Sequence, residues 1–226
     1  MPDATPHDRI ERSWTDNADA WTRVVRDGLI PSRQAGTDAA IVAACLQHGT
    51  GPVLDVGCGE GWLVRELALR GISATGIDVS APLIARAQEL GGGHFEVATY
   101  AQLESDVAVA TGPWPVIACN FALLGDPLFP LLSALRARLS PGGQLLVQTV
   151  HAWSARGDGP YRSAWRTEAF DAFAVPFPTP MPWYYRTLGS WLEQFSLAAL
   201  RVVAVHEPLH PSTGNPLSLL FHCEAA

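Results

Sequence analysis

The run Val53-Leu54-Asp55-Val56-Gly57-Cys58-Gly59-Glu60-Gly61, with Asp78 at the end of the next apolar stretch, constrains this chain more than any other feature. Val53 to Val56 reads as a short buried strand. Gly57, Gly59 and Gly61 make a turn where a ligand can approach the backbone, because no Cβ stands in the way. Trp62 to Arg70 spaces its apolar residues helically and stops at Gly71. Ile72 to Ile77 reads as a second strand ending at Asp78. One βαβ unit therefore carries a glycine loop at its first turn and a carboxylate at the tip of its second strand. That geometry suits an adenosine-containing ligand: the carboxylate accepts ribose hydroxyls and the loop lies under the rest of the molecule.

The composition of the loop narrows the ligand. A dinucleotide fingerprint needs glycine at its first, third and sixth positions so that a helix can start on a pyrophosphate. Counted from Gly57, the sixth position is Trp62. Asp55 and Glu60 add negative charge around the loop, which is wrong for a phosphate and acceptable for a cation. S-Adenosylmethionine has no phosphate and carries a sulfonium and an ammonium. Two further motifs follow in order: Gly76-Ile77-Asp78-Val79-Ser80, and Leu139-Ser140-Pro141-Gly142-Gly143-Gln144-Leu145-Leu146-Val147. With these three motifs the chain resembles the class I S-adenosylmethionine-dependent methyltransferases over roughly residues 37–150.

The element order agrees with an α/β chain. Helices are expected over Asp16 to Asp27, from a Thr37 cap to about His48, after a Ser80 cap up to Gly91, over about Tyr100 to Ala110, from Asp126-Pro127 to near Leu139, and over about Leu188 to Leu200. Strands are expected at His94–Ala98, Pro115–Asn120, Gln144–Val150, Arg201–His206 and Leu217–Cys223. Alternating strands and helices imply a mostly parallel, Rossmann-like sheet with helices on both faces. The short final connection suits an antiparallel last strand, which the resemblance also implies, for seven strands in all. The expected organisation is one domain, 1–226, with an N-terminal helical cap over 1–36. Residues 151–187 form an aromatic- and proline-rich insertion after the fifth strand, read as a substrate lid without regular structure.

Composition removes several classes. At 48% apolar residues the chain is long enough for one well-packed core, and no window approaches a membrane-spanning run. The polar, acidic N-terminus is unlike a signal peptide, so the expected location is the cytoplasm. Cys45, Cys58, Cys119 and Cys223 have neither metal-knuckle nor disulfide spacing. The net charge is −7, every basic residue is arginine, and there is no basic cluster, which argues against a nucleic-acid substrate. Arginine without lysine points to a GC-rich bacterial genome rather than to a function.

Methyl transfer is an in-line displacement on an activated donor, so the protein chiefly holds two molecules in line in a dry site. Neither a covalent nucleophile nor a metal is required. The donor-binding candidates are Asp55, Gly57, Cys58, Gly59 and Gly61 in the loop, then Asp78 and Val79. Asp55 is expected to hydrogen-bond the loop amides and face the donor's ammonium, because a buried carboxylate without partners is costly. The resemblance places an acidic residue after the third strand against the adenine amine; here Thr99 and Tyr100 stand there, and Thr99 can equally be a helix cap. It also places Asn120 beside the methionine portion, without the two prolines and aromatic that follow such an asparagine in many amino-group methyltransferases. Arg33 or Trp21 would close over the donor, Arg33 on its carboxylate.

His151, just past the fifth strand, is expected as general base or substrate hydrogen-bonder, or else as a structural histidine. Trp153, Trp165, Tyr184 and Arg186 are the substrate-binding candidates, the aromatics clamping a flat or apolar acceptor and arginine pairing a carboxylate or Glu168. The stretch from Trp183 to Glu207-Pro208, ending in Pro216-Leu217-Ser218-Leu219-Leu220, is similar to quinone- and small-metabolite-type methyltransferases and leaves the acceptor open. Two other functions share the loop: an NAD-dependent oxidoreductase, against which Trp62 and the acidic loop count, and a non-catalytic donor-binding regulator or partner subunit. Oligomeric state is not legible.

Overall fold

A computed structural model describes residues 4–48, 51–105 and 108–226. The chain opens with α1 (Pro6–Asp16), α2 (Ala18–Arg26) and α3 (Asp38–Gln47). Then come β1 (Val53–Val56), α4 (Trp62–Ala68), β2 (Ala74–Asp78), α5 (Ala81–Leu90), β3 (His94–Val97), α6 (Tyr100–Glu104), β4 (Trp114–Asn120), α7 (Phe129–Ala137) and β5 (Leu139–Val150). A hairpin follows, β6 (Ala164–Glu168) and β7 (Met181–Tyr185), and then α8 (Leu188–Leu197), β8 (Leu200–His206) and β9 (Ser218–Ala225).

Seven strands form one sheet in the order β3-β2-β1-β4-β5-β9-β8. The pairs from β3 to β5 are parallel, and β9 is antiparallel to both neighbours. Side chains alternate across a strand, and the alternation sorts the core into two layers. Leu54, Val56, Ile117, Cys119, Leu145 and Val147 meet α7 and α8 through Leu131, Leu135, Trp191 and Phe195. Val53, Val116, Ala118 and Leu146 meet α3, α4 and α5 through Ile41, Leu63, Leu67 and Ile84. The chain runs from β1 outward to β3, then returns to place β4 on the other side of β1. That reversal opens a crevice at the carboxyl ends of β1 and β4, where open α/β sheets bind ligands.

The N-terminal part differs from expectation. The helix expected over Asp16 to Asp27 is α2 (Ala18–Arg26); ahead of it stands α1, which was not expected, and the two meet at Asn17. Its side chain donates to Ser13 Oγ and to the Thr179 carbonyl and accepts from the Thr179 N–H, so the corner is tied to the far loop before β7. The capping box of Thr5 and Asp8, with Pro6 at the first position, starts α1 ahead of that corner. Thr37 does not cap α3: its backbone is helical and its carbonyl accepts from Gln148 Nε2, because a kinked turn over Arg33–Thr37 runs straight into the helix. Ser80 does not cap α5 through its side chain either; its hydroxyl donates to the Trp14 carbonyl.

Residues 151–187 are not irregular throughout. β6 and β7 pair from Ala164–Tyr185 to Glu168–Met181. Phe173, Val175 and Phe177 from the loop between them pack on Ala20, Trp21 and Val24 of α2. The helix expected over Tyr100 to Ala110 is the shorter α6, and positions 106–107 lie outside the described residues. Among the described residues no helix is long and apolar enough to cross a membrane.

Candidate functional site

The glycine loop follows β1, with Gly57, Gly59 and Gly61 at φ of 75°, 57° and 83°. That region is open to glycine at little cost and closed to most side chains. The three glycines serve different purposes. A Cβ on Gly59 would stand 3.6 Å from Trp21 Nε1, at the cavity wall. A Cβ on Gly61 would overlap Phe95 and Ala87, and one on Gly57 would overlap Ala122. Gly61 is thus a packing glycine, not a ligand-facing one. Cys58 turns its sulfur into the space left by Gly76 and is buried.

Asp78, at the tip of β2, accepts the Gly59 N–H at 2.9 Å and the Ser80 N–H at 2.8 Å, one on each oxygen. It therefore holds the loop against the start of α5 and keeps a lone pair on each oxygen. Burial still raises its pKa, against those backbone donors. Asp55 was expected to bind the loop amides and does not. It is 2% exposed, and its Oδ1 has no hydrogen-bond partner among the described residues. The Gly59 amide goes to Asp78 instead, and those of Gly57 and Cys58 to the Ile77 carbonyl. Burial, and next the charge of Asp78, push the Asp55 carboxyl up to about 7, with Arg33 offsetting part of the shift. Two buried carboxylates without a neutralising partner leave the site short of positive charge.

Glu60 was expected to add negative charge around the loop. Its carboxylate is instead bound by Arg65 at 2.6 Å and Arg26 at 3.0 Å, so its charge is spent on fastening α2 to the loop. Arg33 gives Nε to Asp38 Oδ1 at 2.8 Å and lies 4.1 Å above the centre of the Trp62 ring.

Three cavities lie side by side along the carboxyl edge of the sheet and share lining residues. One of about 240 Å³ is lined by Arg33, the Gly57–Glu60 loop, Trp62, Asp78 and Asn120. A second, of about 450 Å³, is lined by α1, Asp78, Val79, Thr99, Tyr100 and Leu124. The third, about 240 Å³, lies under the hairpin and is walled by Phe170, Phe173, Trp183, Tyr184, Trp191, Glu168 and Arg186. Trp14 lines all three, and Trp21, Phe121 and Val150 line both the first and the third. Trp14 and Trp21 meet edge to face at 5.1 Å. Phe121 stands at φ 54°, a conformation a phenylalanine holds only when its surroundings enforce it.

Most of the residues expected at a donor site are brought together: Arg33, Asp55, Gly57, Cys58, Gly59, Asp78, Val79, Thr99, Tyr100 and Asn120 line or adjoin the first two cavities. Thr99 caps α6 in a capping box with Gln102, and Tyr100 donates its hydroxyl to the Ala122 carbonyl. Asn120 Oδ1 is buried without a partner among the described residues.

The expectations for the far side fare differently. His151 is turned out of the cavities. Its Nε2 meets Glu207 at 2.8 Å and its Nδ1 faces Ser154, while Val150 before it takes the cavity wall. Trp153 is 59% exposed and stacks with Arg156. Trp165 packs edge to face on His7 and Tyr184 outside the cavity wall. Tyr184 and Arg186 do line the third cavity. Sequence reasoning missed Trp14, Phe121, Phe170 and Phe173. The capping signal Thr5-Pro6-His7-Asp8 could have revealed α1 and hence Trp14; the others carry no local signal.

Comparison with known proteins agrees with this geometry. A family model described as a methyltransferase domain matches residues 33–202. An uncharacterised methyltransferase of Mycobacterium bovis is 34% identical over 130 residues, 56% of this chain and 64% of that protein. A ubiquinone biosynthesis O-methyltransferase of Azotobacter vinelandii is 36% identical over 103 residues, 44% of each chain. The chain thus spans less than two thirds of the length of these curated relatives. The crystal structure of a methyltransferase from Streptomyces caelestis superposes with a TM-score of 0.68 at 20% identity, over 96% of this chain and 99% of that one, a likeness of fold.

Proposed function

This chain belongs to the methyltransferase-domain family, of the class I S-adenosylmethionine-dependent fold, and on that premise we propose that it methylates a small-molecule acceptor without a metal. The observation that carries the reading is the pair of buried carboxylates, Asp55 and Asp78. Among the described residues neither makes a salt bridge, with Arg33 only partly offsetting the Asp55 shift, and the neighbouring loop leaves room for a ligand at Gly59. S-Adenosylmethionine fits that deficit, and when bound it supplies a methyl group already activated by a positive sulfur.

In this reading Asp78 accepts the ribose hydroxyls on the lone pairs that Gly59 and Ser80 leave open. Asp55 and Asn120, each with an unpartnered oxygen, receive the ammonium. Arg33 meets the carboxylate with the N–H groups that Asp38 does not take. Thr99 and Tyr100 border the adenine. The acceptor occupies the third cavity, whose wall of Trp14, Trp21, Phe121 and Val150 is shared with the donor side, so the two molecules meet in line with little water between them. Glu168 is the carboxylate lining that cavity, and it can take a proton from a nucleophile that must lose one. Metal independence belongs to this reading because the donor's methyl is already activated by its sulfur, and β4 ends in Asn120 rather than in a carboxylate.

Calorimetric titration with S-adenosylhomocysteine, repeated on Asp78→Ala, tests the reading. Micromolar binding that the variant loses supports it. A folded wild-type protein that binds no S-adenosylhomocysteine refutes it.

A further inference from the structure

Resting on that reading, we propose that the acceptor is a flat, largely apolar molecule bearing a carboxylate, and that Arg186 receives the carboxylate. Arg186 follows β7, and its side chain is 0% exposed. Its Nη2 donates to the Gly125 carbonyl and, at 2.8 Å, to Asp126 Oδ1. The N–H of Nε and both of Nη1 have no acceptor among the described residues. Buried donors are nearly always paired, and leaving those of a charged group unpaired is costly.

The guanidinium cannot swing away to find partners. It lies 4.7 Å from the centre of the Tyr184 ring and 5.3 Å from that of Trp191. Both rings also wall the acceptor cavity, as does Arg186 itself. A partner for the free N–H groups therefore comes through that cavity, past the Tyr184 ring. Asp126 does not make the arginine self-sufficient. Its side chain is 33% exposed, so water weakens its hold on a buried cation. The arginine's bonds to Gly125 and Asp126 tie the end of β7 to that turn, yet three of its five N–H donors have no acceptor among the described residues.

The rest of the cavity sets the body of the acceptor. Phe170, Phe173 and Trp183 offer flat apolar faces, which suit a ring. Glu168, the opposing charge, pairs with Met181, five residues before Arg186 along the chain. At the rise of an extended strand the two backbone positions stand about 16 Å apart. The cavity is thus lined by one cation, Arg186, and one anion, Glu168, carried at well-separated backbone positions. A carboxylate meets the first, and a hydroxyl or amine that gives up a proton belongs at the second.

The test uses the full chain saturated with S-adenosylhomocysteine and matched pairs of probes: para-hydroxybenzoate against para-hydroxybenzamide, indole acetate against indole acetamide, and naphthoate against naphthamide. Calorimetry should find at least one acid bound about tenfold or more tightly than its amide. Arg186→Gln should erase that preference and leave S-adenosylhomocysteine affinity unchanged. The acid-against-amide comparison needs no variant, so it stands even if Arg186→Gln fails to fold. Equal affinity of acids and amides, or no acid bound by protein that does bind S-adenosylhomocysteine, overturns the proposal. Failure to bind S-adenosylhomocysteine strikes the methyltransferase reading first and this inference with it.

Discussion

Replacing Asp55 by asparagine should stabilise the ligand-free protein and cripple its binding site. The Asp55 carboxyl is pushed from 3.8 to about 7, chiefly by burial. The folded state therefore holds this proton more tightly than the unfolded chain does. Its contribution to stability is fully present below about pH 4 and lost as pH rises through about 7. Three pKa units at 1.36 kcal/mol each make the ionised group a liability of about 4 kcal/mol above neutrality. Asparagine removes the charge but leaves a buried amide short of partners, at about 1–3 kcal/mol. The net expectation is that Asp55→Asn is more stable than wild type by about 1–3 kcal/mol near pH 8, shrinking to nothing or reversing near pH 4.5. Urea unfolding of both proteins without ligand, at the two pH values, measures this directly. The same variant should bind S-adenosylhomocysteine about tenfold or more weakly, because an ammonium loses its charged partner. A variant that is less stable than wild type near pH 8, or whose advantage does not depend on pH, would refute the reasoning.

The other expectations are sharper in direction than in size. His151→Gln should change turnover by less than about threefold, where loss of a general base would cost about 10²–10⁴-fold; a drop of that order in steady-state rates would restore His151 to the chemistry. Gly59→Ala and Gly61→Ala should part company. The first should fold and lose S-adenosylhomocysteine binding, since its methyl enters the cavity. The second should lose about 1–3 kcal/mol in urea unfolding by overlapping Phe95 and Ala87. Glu60→Gln leaves Arg26 and Arg65 without their anion and should cost about 2–3 kcal/mol, less than a fully buried pair because both arginines are partly exposed. Thermal unfolding that does not move would show that the loop does not depend on this contact.

The sequence by itself determined the sheet and most of the proposed donor side of the site. Those residues lie on elements whose periodicity and punctuation are local: a four-residue apolar strand, glycines with positive φ, a carboxylate at a strand tip. Asp55, the three glycines and Asp78 share one βαβ unit, so their order along the chain sets their placement, whereas Arg33, Thr99, Tyr100 and Asn120 come from other elements. Even there, tertiary structure assigned the duties. Asp78, not Asp55, holds the Gly59 amide. Glu60 belongs to two arginines, one of them on a helix 34 residues upstream. Gly61 exists for Phe95, which arrives with β3.

The proposed acceptor side was decided almost wholly by the fold. Its wall is assembled from α1, the end of β4, the end of β5 and a hairpin within 151–187, segments with no mutual pattern in sequence. An aromatic there reads the same whether it faces a cavity, as Phe173 does, or solvent, as Trp153 does. Strand alternation could have separated Val150 from His151, but only once the end of β5 and its neighbour Glu207 were placed. Arg186 is the intermediate case. Its residue type suggested a carboxylate partner, and burial between Tyr184 and Trp191 with unpaired N–H groups gives that suggestion its physical content. Local propensity reports what a residue can do, while the long-range packing around it decides which of those roles remains available.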